Sequence, residues 1–209
     1  MGSGSGARDT SRRRSREPVR LLRQRPSERD ISRFLREQAE APLSYAPIGI
    51  SRQSPSGYDV DEHRLVIGRG ETAFERARAA LDAWAMFRLG WVELHPAHAP
   101  TTPGTTVAIL VRHLGFWSLH ACRVVERLAA SPEGPVHGFA YGTLSAHAER
   151  GEELFAIELD VADGSVWYRI RAVSRPHSVL ARVGYPLARR LQRRFREDSG
   201  RAMRAAVAR

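Results

Sequence analysis

The chain has 209 residues, 42% hydrophobic and 27% charged, enough for one substantial core with a short tail beside it. A single cysteine, Cys122, excludes an internal disulfide, and no run approaches the ~18 apolar residues that a membrane-spanning helix needs. All 33 basic residues are arginine, and the net charge of +10 is concentrated at the ends: residues 1–30 carry +5, residues 175–209 carry +8 and the middle −3.

Residues 1–25 are Gly/Ser-rich and then Arg-rich, with little to bury, and are expected to be a disordered tail. Met1–Gly6 lacks the apolar core of a secretion signal, so a cytoplasmic protein is expected. The globular domain is then residues 26–209. Ser27, with Asp30 three residues on, starts a helix whose inner stripe is Ile31, Phe34, Leu35 and Gln38. A strand over Tyr58–Gly68 turns Leu65 and Ile67 inward. From Glu71 a helix of good periodicity carries Phe74, Ala77, Leu81, Trp84 and Ala85 to about Phe87–Gly90.

From Trp91 on the pattern is strand: Trp91–His95, Thr105–Arg112, Phe116–Leu128, Val136–Leu144, Glu153–Asp160, and a last strand through Val166, Tyr168, Ile170 and Ala172 after the Asp163-Gly164 turn. Short connections make this an antiparallel meander of about seven strands. The final segment places Leu180, Val183, Leu187, Leu191, Phe195 and Met203 at helical spacing, with a kink or a new start near Gly184–Pro186. Arg189, Arg190, Arg193, Arg194 and Arg196 form its solvated face. The fold class is α+β, a sheet wrapped around a long C-terminal helix.

The stretch Gly138–Phe155 carries the most polar chemistry. Phe139, Tyr141 and Thr143 alternate with Gly138, Ala140 and Gly142, so one strand face is aromatic and the other nearly bare. A turn follows with His147, Glu149, Glu152 and Glu153, which suits either acid/base work or structural anchoring of the hairpin by capping amides or by pairing with Arg112 or Arg175. Glu153 shares parity with Phe155 and Ile157, faces inward, and needs a partner there. Trp84, Trp91, Trp117 and Tyr141 line a ligand pocket or form core. The histidine spacing matches no metal motif, Ser118 and Ser145 lack a nucleophile elbow, and Gly68-Arg69-Gly70 lacks the rest of any phosphate loop, so no metal, catalytic residue or cofactor is assigned.

The order strand, helix, six strands, long helix is similar to the helix-grip fold of the START/Bet v 1-like superfamily. The segments L-V-I-G-R-G-E-T-A-F (65–74), W-A-M-F-R-L-G-W-V (84–92), G-F-W-S-L-H-A-C-R-V-V (115–125), F-A-Y-G-T-L-S-A-H-A-E-R-G-E-E-L-F (139–155), S-R-P (174–176) and L-Q-R-R-F-R-E-D-S (191–199) resemble the bacterial and plant domain of unknown function 1990, also called uncharacterised protein family 0548. That family brings no activity with it. The helix-grip resemblance implies an apolar cavity between sheet and helix. Three functions are therefore open: binding of a small apolar or amphipathic ligand, catalysis at residues 141–153, or attachment of the basic tail and helix to anionic membrane or nucleic acid. Oligomeric state is not readable.

Overall fold

A computed structural model of the chain describes residues 20–128, 134–177 and 185–208. In chain order its elements are β1 (Arg20–Leu22), α1 (Glu28–Gln38), β2 (Asp59–Arg69), α2 (Gly70–Asp82), β3 (Val92–His95), β4 (Thr106–His113), β5 (Phe116–Arg127), β6 (Val136–Thr143), β7 (Glu149–Leu159), β8 (Ser165–Pro176) and α3 (Tyr185–Val207). Seven strands form one antiparallel path in the order β2-β8-β7-β6-β5-β4-β3. Bulges between Val66 and Gly68 and between Val124 and Glu126 interrupt the register, and such insertions bend a sheet. The result is the expected α+β arrangement of a curled sheet holding a C-terminal helix.

The two faces are covered by different segments. On the inner face Phe139, Phe155, Ile157, Tyr168 and Ile170 pack with Phe74, Ala77 and Leu81 of α2 and with Met203 and Val207 of α3. Gly200 lets α3 lie close to the sheet: a Cβ there would come within 2.9 Å of Leu65 Cδ1. On the outer face Ile31 and Phe34 of α1 cover Ala108, Leu110, Leu119 and Ala121 of β4 and β5. Tyr45 and Ile50, from the segment between α1 and β2, cover Val173 of β8 on the same side. Ser27 caps α1 as its sequence foretells, its Oγ accepting from Asp30 N at 3.2 Å.

Three boundaries differ from the sequence expectation. Residues 1–19 of the expected tail lie outside the described residues, but β1 pairs with Trp117–Leu119 of β5, and Arg25 pairs with Glu93. Helix α2 stops at Asp82, short of the expected Phe87–Gly90. Trp84 there adopts a left-handed backbone (φ 54°), which turns its indole into the core, where Nε1 donates to Ala99 O at 2.7 Å. Strand β7 begins at Glu149, four residues before the expected Glu153, because the polar residues after His147 continue the ladder with β8. Of the expected kink near Gly184–Pro186, Gly184 lies outside the described residues, and α3 starts at Tyr185 with Pro186 in its first turn. Among the described residues no helix is long and apolar enough to cross a membrane.

Candidate functional site

Alternation decides which hairpin side chains share a face. Tyr141 on β6 and Glu153 on β7 are register partners on the inner face, and the Tyr141 hydroxyl donates to Glu153 Oε2 at 2.5 Å. Burial pushes the Glu153 carboxyl up to about 7; the Tyr141 hydrogen bond opposes the shift, and Glu149 adds to it. Burial likewise holds the Tyr141 hydroxyl well above its ordinary range. Four residues back along β7, Glu149 accepts from Ser174 Oγ and from Gln192 Nε2 of α3, each at 2.9 Å. Burial raises its pKa as well, against these bonds.

A third carboxylate, Asp61 of β2, sits beneath the same helix. It pairs with Arg189 and with Arg196, the latter at 3.5 Å, and the Arg189 hydrogen bond holds its pKa down. Arg189 and Arg196 are therefore drawn inward and are not part of a solvated face as expected. Arg190, Arg193 and Arg194 remain exposed.

Histidines from two strand pairs close this end of the inner face. His120 of β5 and His147, just before β7, have ring centroids 4.8 Å apart. Nδ1 of His147 lies 3.0 Å from Glu149 N and 3.1 Å from its carbonyl oxygen, so the ring is tied to that backbone. Burial lowers its pKa to about 4. Ser118 Oγ lies 2.9 Å from His120 Nε2 and 3.2 Å from His113 Nε2. A hydroxyl has one proton and two lone pairs, so it donates to at most one of the two imidazoles and accepts from the other or from both. The buried Nδ1 atoms of His113 and His120 have no hydrogen-bond partner among the described residues.

The remaining expected site residues lie elsewhere. Glu152, of opposite parity, is 2% exposed on the outer face and accepts from Tyr45 Oη (2.7 Å), Gly49 N (2.7 Å) and Ser51 N (3.0 Å). It pins the segment before β2, the amide-capping alternative of the sequence reading. Thr143 ends β6, its Oγ1 accepting from Gly151 N at 3.0 Å. Arg112 and Trp117 meet at 5.9 Å on the outer side of β4 and β5, and Arg175 lies 4.5 Å over Tyr58. Trp84 packs edge-on against Phe139 at 4.7 Å, deep in the core. Trp91 Nε1 donates to Asp198 of α3 at 2.8 Å, and Arg194 stacks on its ring at 4.4 Å. These two tryptophans secure the core and α3. The bare strand face is filled too: a Cβ at Gly142 would stand 2.7 Å from Tyr45 Cε1 and 2.8 Å from its Cζ.

Of the expected site residues, then, Tyr141, Glu149 and Glu153 share the inner face of the hairpin, and His147 is tied to the backbone of Glu149. Sequence reasoning missed His113, Ser118, His120, Asp61 and Gln192. Asp61 was within reach, since it shares parity with the inward Leu65 and Ile67. The two other histidines were not, because only pairing of β5 with β4 and return of the chain at β7 bring them beside His147. Among the described residues no three His, Cys, Asp or Glu side chains are placed to hold a metal ion.

Solved structures with distant likeness to this chain are a hypothetical protein from Helicobacter pylori (TM-score 0.48, 11% identity, 79% of this chain and 98% of that one) and norcoclaurine synthase from Thalictrum flavum in complex with dopamine and hydroxybenzaldehyde (TM-score 0.46, 10% identity, 81% and 96%). Likenesses this distant carry no residue or activity across. Sequence relatives are closer. A UPF0548 protein of Dictyostelium discoideum is 33% identical over 203 residues, covering 88% of this chain and 94% of that protein. One of Deinococcus radiodurans is 36% identical over 180 residues, covering 81% and 89%. The model described as "Domain of unknown function (DUF1990)" matches residues 44–202, and the chain belongs to that family.

Proposed function

We propose that this chain is a small-molecule binding domain, taking an amphipathic ligand at the polar end of the inner face, beside the first turns of α3. The observation that carries this reading is the Tyr141–Glu153 pair. An inward carboxyl among aromatic side chains, with tyrosine as its hydrogen-bonding partner, costs stability that an apolar residue would not. Such costs are concentrated at functional sites. Glu153, Tyr141 and Glu149 would meet the ligand's hydrogen-bonding head group. The aromatic end of the face is occupied by side chains: Phe195 lies 5.1 Å from Phe87 and 6.5 Å from Phe155. The ligand's apolar part therefore belongs toward the beginning of α3 and not among the tryptophans.

A carboxyl titrating near 7 is also matched to proton transfer at neutral pH, which favours a second reading, an acid/base enzyme using Glu153, with His147 farther along the hairpin at Glu149. Native mass spectrometry of freshly purified protein tests the first reading, with a co-purified small molecule as the expected result. Glu153→Gln should weaken its retention, and His147→Ala should change turnover only if the second reading holds. Protein without any adduct, and without affinity for any member of a library of amphipathic compounds, would remove the binding proposal.

A further inference from the structure

Among the described residues, the outer face of the sheet carries a groove of about 380 Å3, lined by Ser51, Arg52, Leu128, Leu154, Arg169 and Arg171. Its origin is in the strand pattern. Ala140 and Ala156 on β6 and β7 are short and lie buried under Val125, Leu128 and Val136, while Arg169 and Arg171 on β8 are their cross-strand neighbours and wall the groove beside Leu154. Among the described residues α1 lies over β4, β5 and Leu144, and the segment before β2 stops at the rim, held there by Glu152. What remains is an apolar floor under a rim of guanidinium groups.

The polar rim is built from fixed groups. Arg171 donates to Ser51 O at 2.8 Å, to Gln53 O at 2.9 Å and to Glu62 at 2.5 Å. Arg169 pairs with Glu158 at 2.7 Å, Arg64 pairs with the same carboxylate at 3.0 Å, and Arg52 pairs with Glu126. The four arginines exceed the three glutamates by one positive charge. Beside them Ser51 is 0% exposed, and its hydroxyl has no hydrogen-bond partner among the described residues. A buried donor left without an acceptor costs free energy that a bound acceptor would return.

We infer that this groove binds a small organic carboxylate. The single surplus positive charge matches one negative charge, the Ser51 hydroxyl and the unengaged N–H groups of Arg52 and Arg169 supply donors for it, and Leu128 and Leu154 receive its apolar portion. The site lies across the sheet from Tyr141 and Glu153 and does not depend on the binding reading given for them.

The experiment uses the full chain with methyl-labelled leucines, titrated with sodium octanoate and, in parallel, with inorganic phosphate. Octanoate should give saturable shifts at the Leu128 and Leu154 methyls. Arg52→Gln and Arg169→Gln, each checked for an unchanged thermal midpoint, should raise its dissociation constant about tenfold or more, the worth of a charge-assisted hydrogen bond. Arg190→Gln, which removes an equal charge from α3, should leave it within about twofold. Shifts confined to Leu191 on the inner face, phosphate binding as tightly as octanoate, unchanged affinity in both groove variants, or no saturable shift at millimolar octanoate would each overturn the inference.

Discussion

Replacing Glu152 by alanine tests how the segment before β2 is held on the sheet. The carboxylate is 2% exposed and accepts from Tyr45 Oη, Gly49 N and Ser51 N. Hydrogen bonds to a charged group contribute roughly 1.5–3 kcal/mol each, and the buried donors left behind cannot reach water unless the segment lifts. Lifting is opposed by Ser44 N donating to Thr143 O at 2.9 Å, by Arg171 Nε donating to Ser51 O at 2.8 Å, and by the packing of Tyr45 and Ile50 on Val173. The segment is therefore expected to loosen before all three donors are orphaned, which limits the loss for Glu152→Ala to about 3–5 kcal/mol. For a chain of this length that lowers the thermal midpoint by roughly 6–20 °C. Glu152→Gln keeps one acceptor oxygen and should lose about half as much. Thermal melts and urea titrations give the size of the effect, and hydrogen exchange at Tyr45–Ser51 gives its place. An alanine variant within about 1 kcal/mol of the parent, or one that loses stability while these amides stay protected, would refute the reasoning.

Gly142→Ala should be destabilising by about 1–3 kcal/mol, because its Cβ would meet the Tyr45 ring; the variant combined with Tyr45→Ala should lose less than the sum of the two single changes. Glu153 has a folded pKa of about 7, raised above the ordinary carboxylate value, so its contribution to stability is present below about 4.5 and is lost as pH rises through 7. His147 has a folded pKa of about 4, lowered from the ordinary imidazole value, so its contribution is present above about 6.5 and is lost as pH falls through 4. The two oppose each other between about 4.5 and 6.5. Glu153→Gln should leave the histidine effect uncovered, so that stability measured by urea unfolding rises with pH across that window more steeply than in the parent, and should gain up to about 3 kcal/mol over the parent between pH 4.5 and 7.5. Parallel pH profiles for parent and variant would contradict this. Cys122 is buried with its thiol pushed well above the ordinary range, so a thiol-reactive chromophore should label it only as the protein unfolds; fast labelling of the native chain would show that β5 opens.

Much of the fold was readable because its causes are local. Ser27 marks a helix start through its own side chain, Asp163-Gly164 marks a turn through its own backbone preferences, and the parity of Leu65, Ile67, Phe155 and Ile157 marks the buried face strand by strand. The same parity rule was enough to turn Glu153 inward and to show that it would need a partner. It failed at Trp84, where a helical period continues in sequence but the helix has already ended at Asp82 and Trp84 takes a left-handed backbone with its indole buried. It could not separate anchoring from chemistry at Glu149, Glu152 and Glu153, since consecutive carboxylates look alike until each is given a side of the sheet and a neighbour.

What the sequence alone determined is the elements from α1 onward, their order, the inward stripe of most of them, and the family. Those follow from side-chain size, spacing and polarity within a few residues. What only the tertiary structure decided is who meets whom: Tyr45 filling the bare face at Gly142, Arg189 and Arg196 turning in to Asp61, His120 reaching His147, and an arginine-lined groove on the outer face. Those contacts join residues far apart in the chain, many of them across strands that are not consecutive. They depend on register, sheet curl and which segment reaches a face first, and no local pattern encodes them.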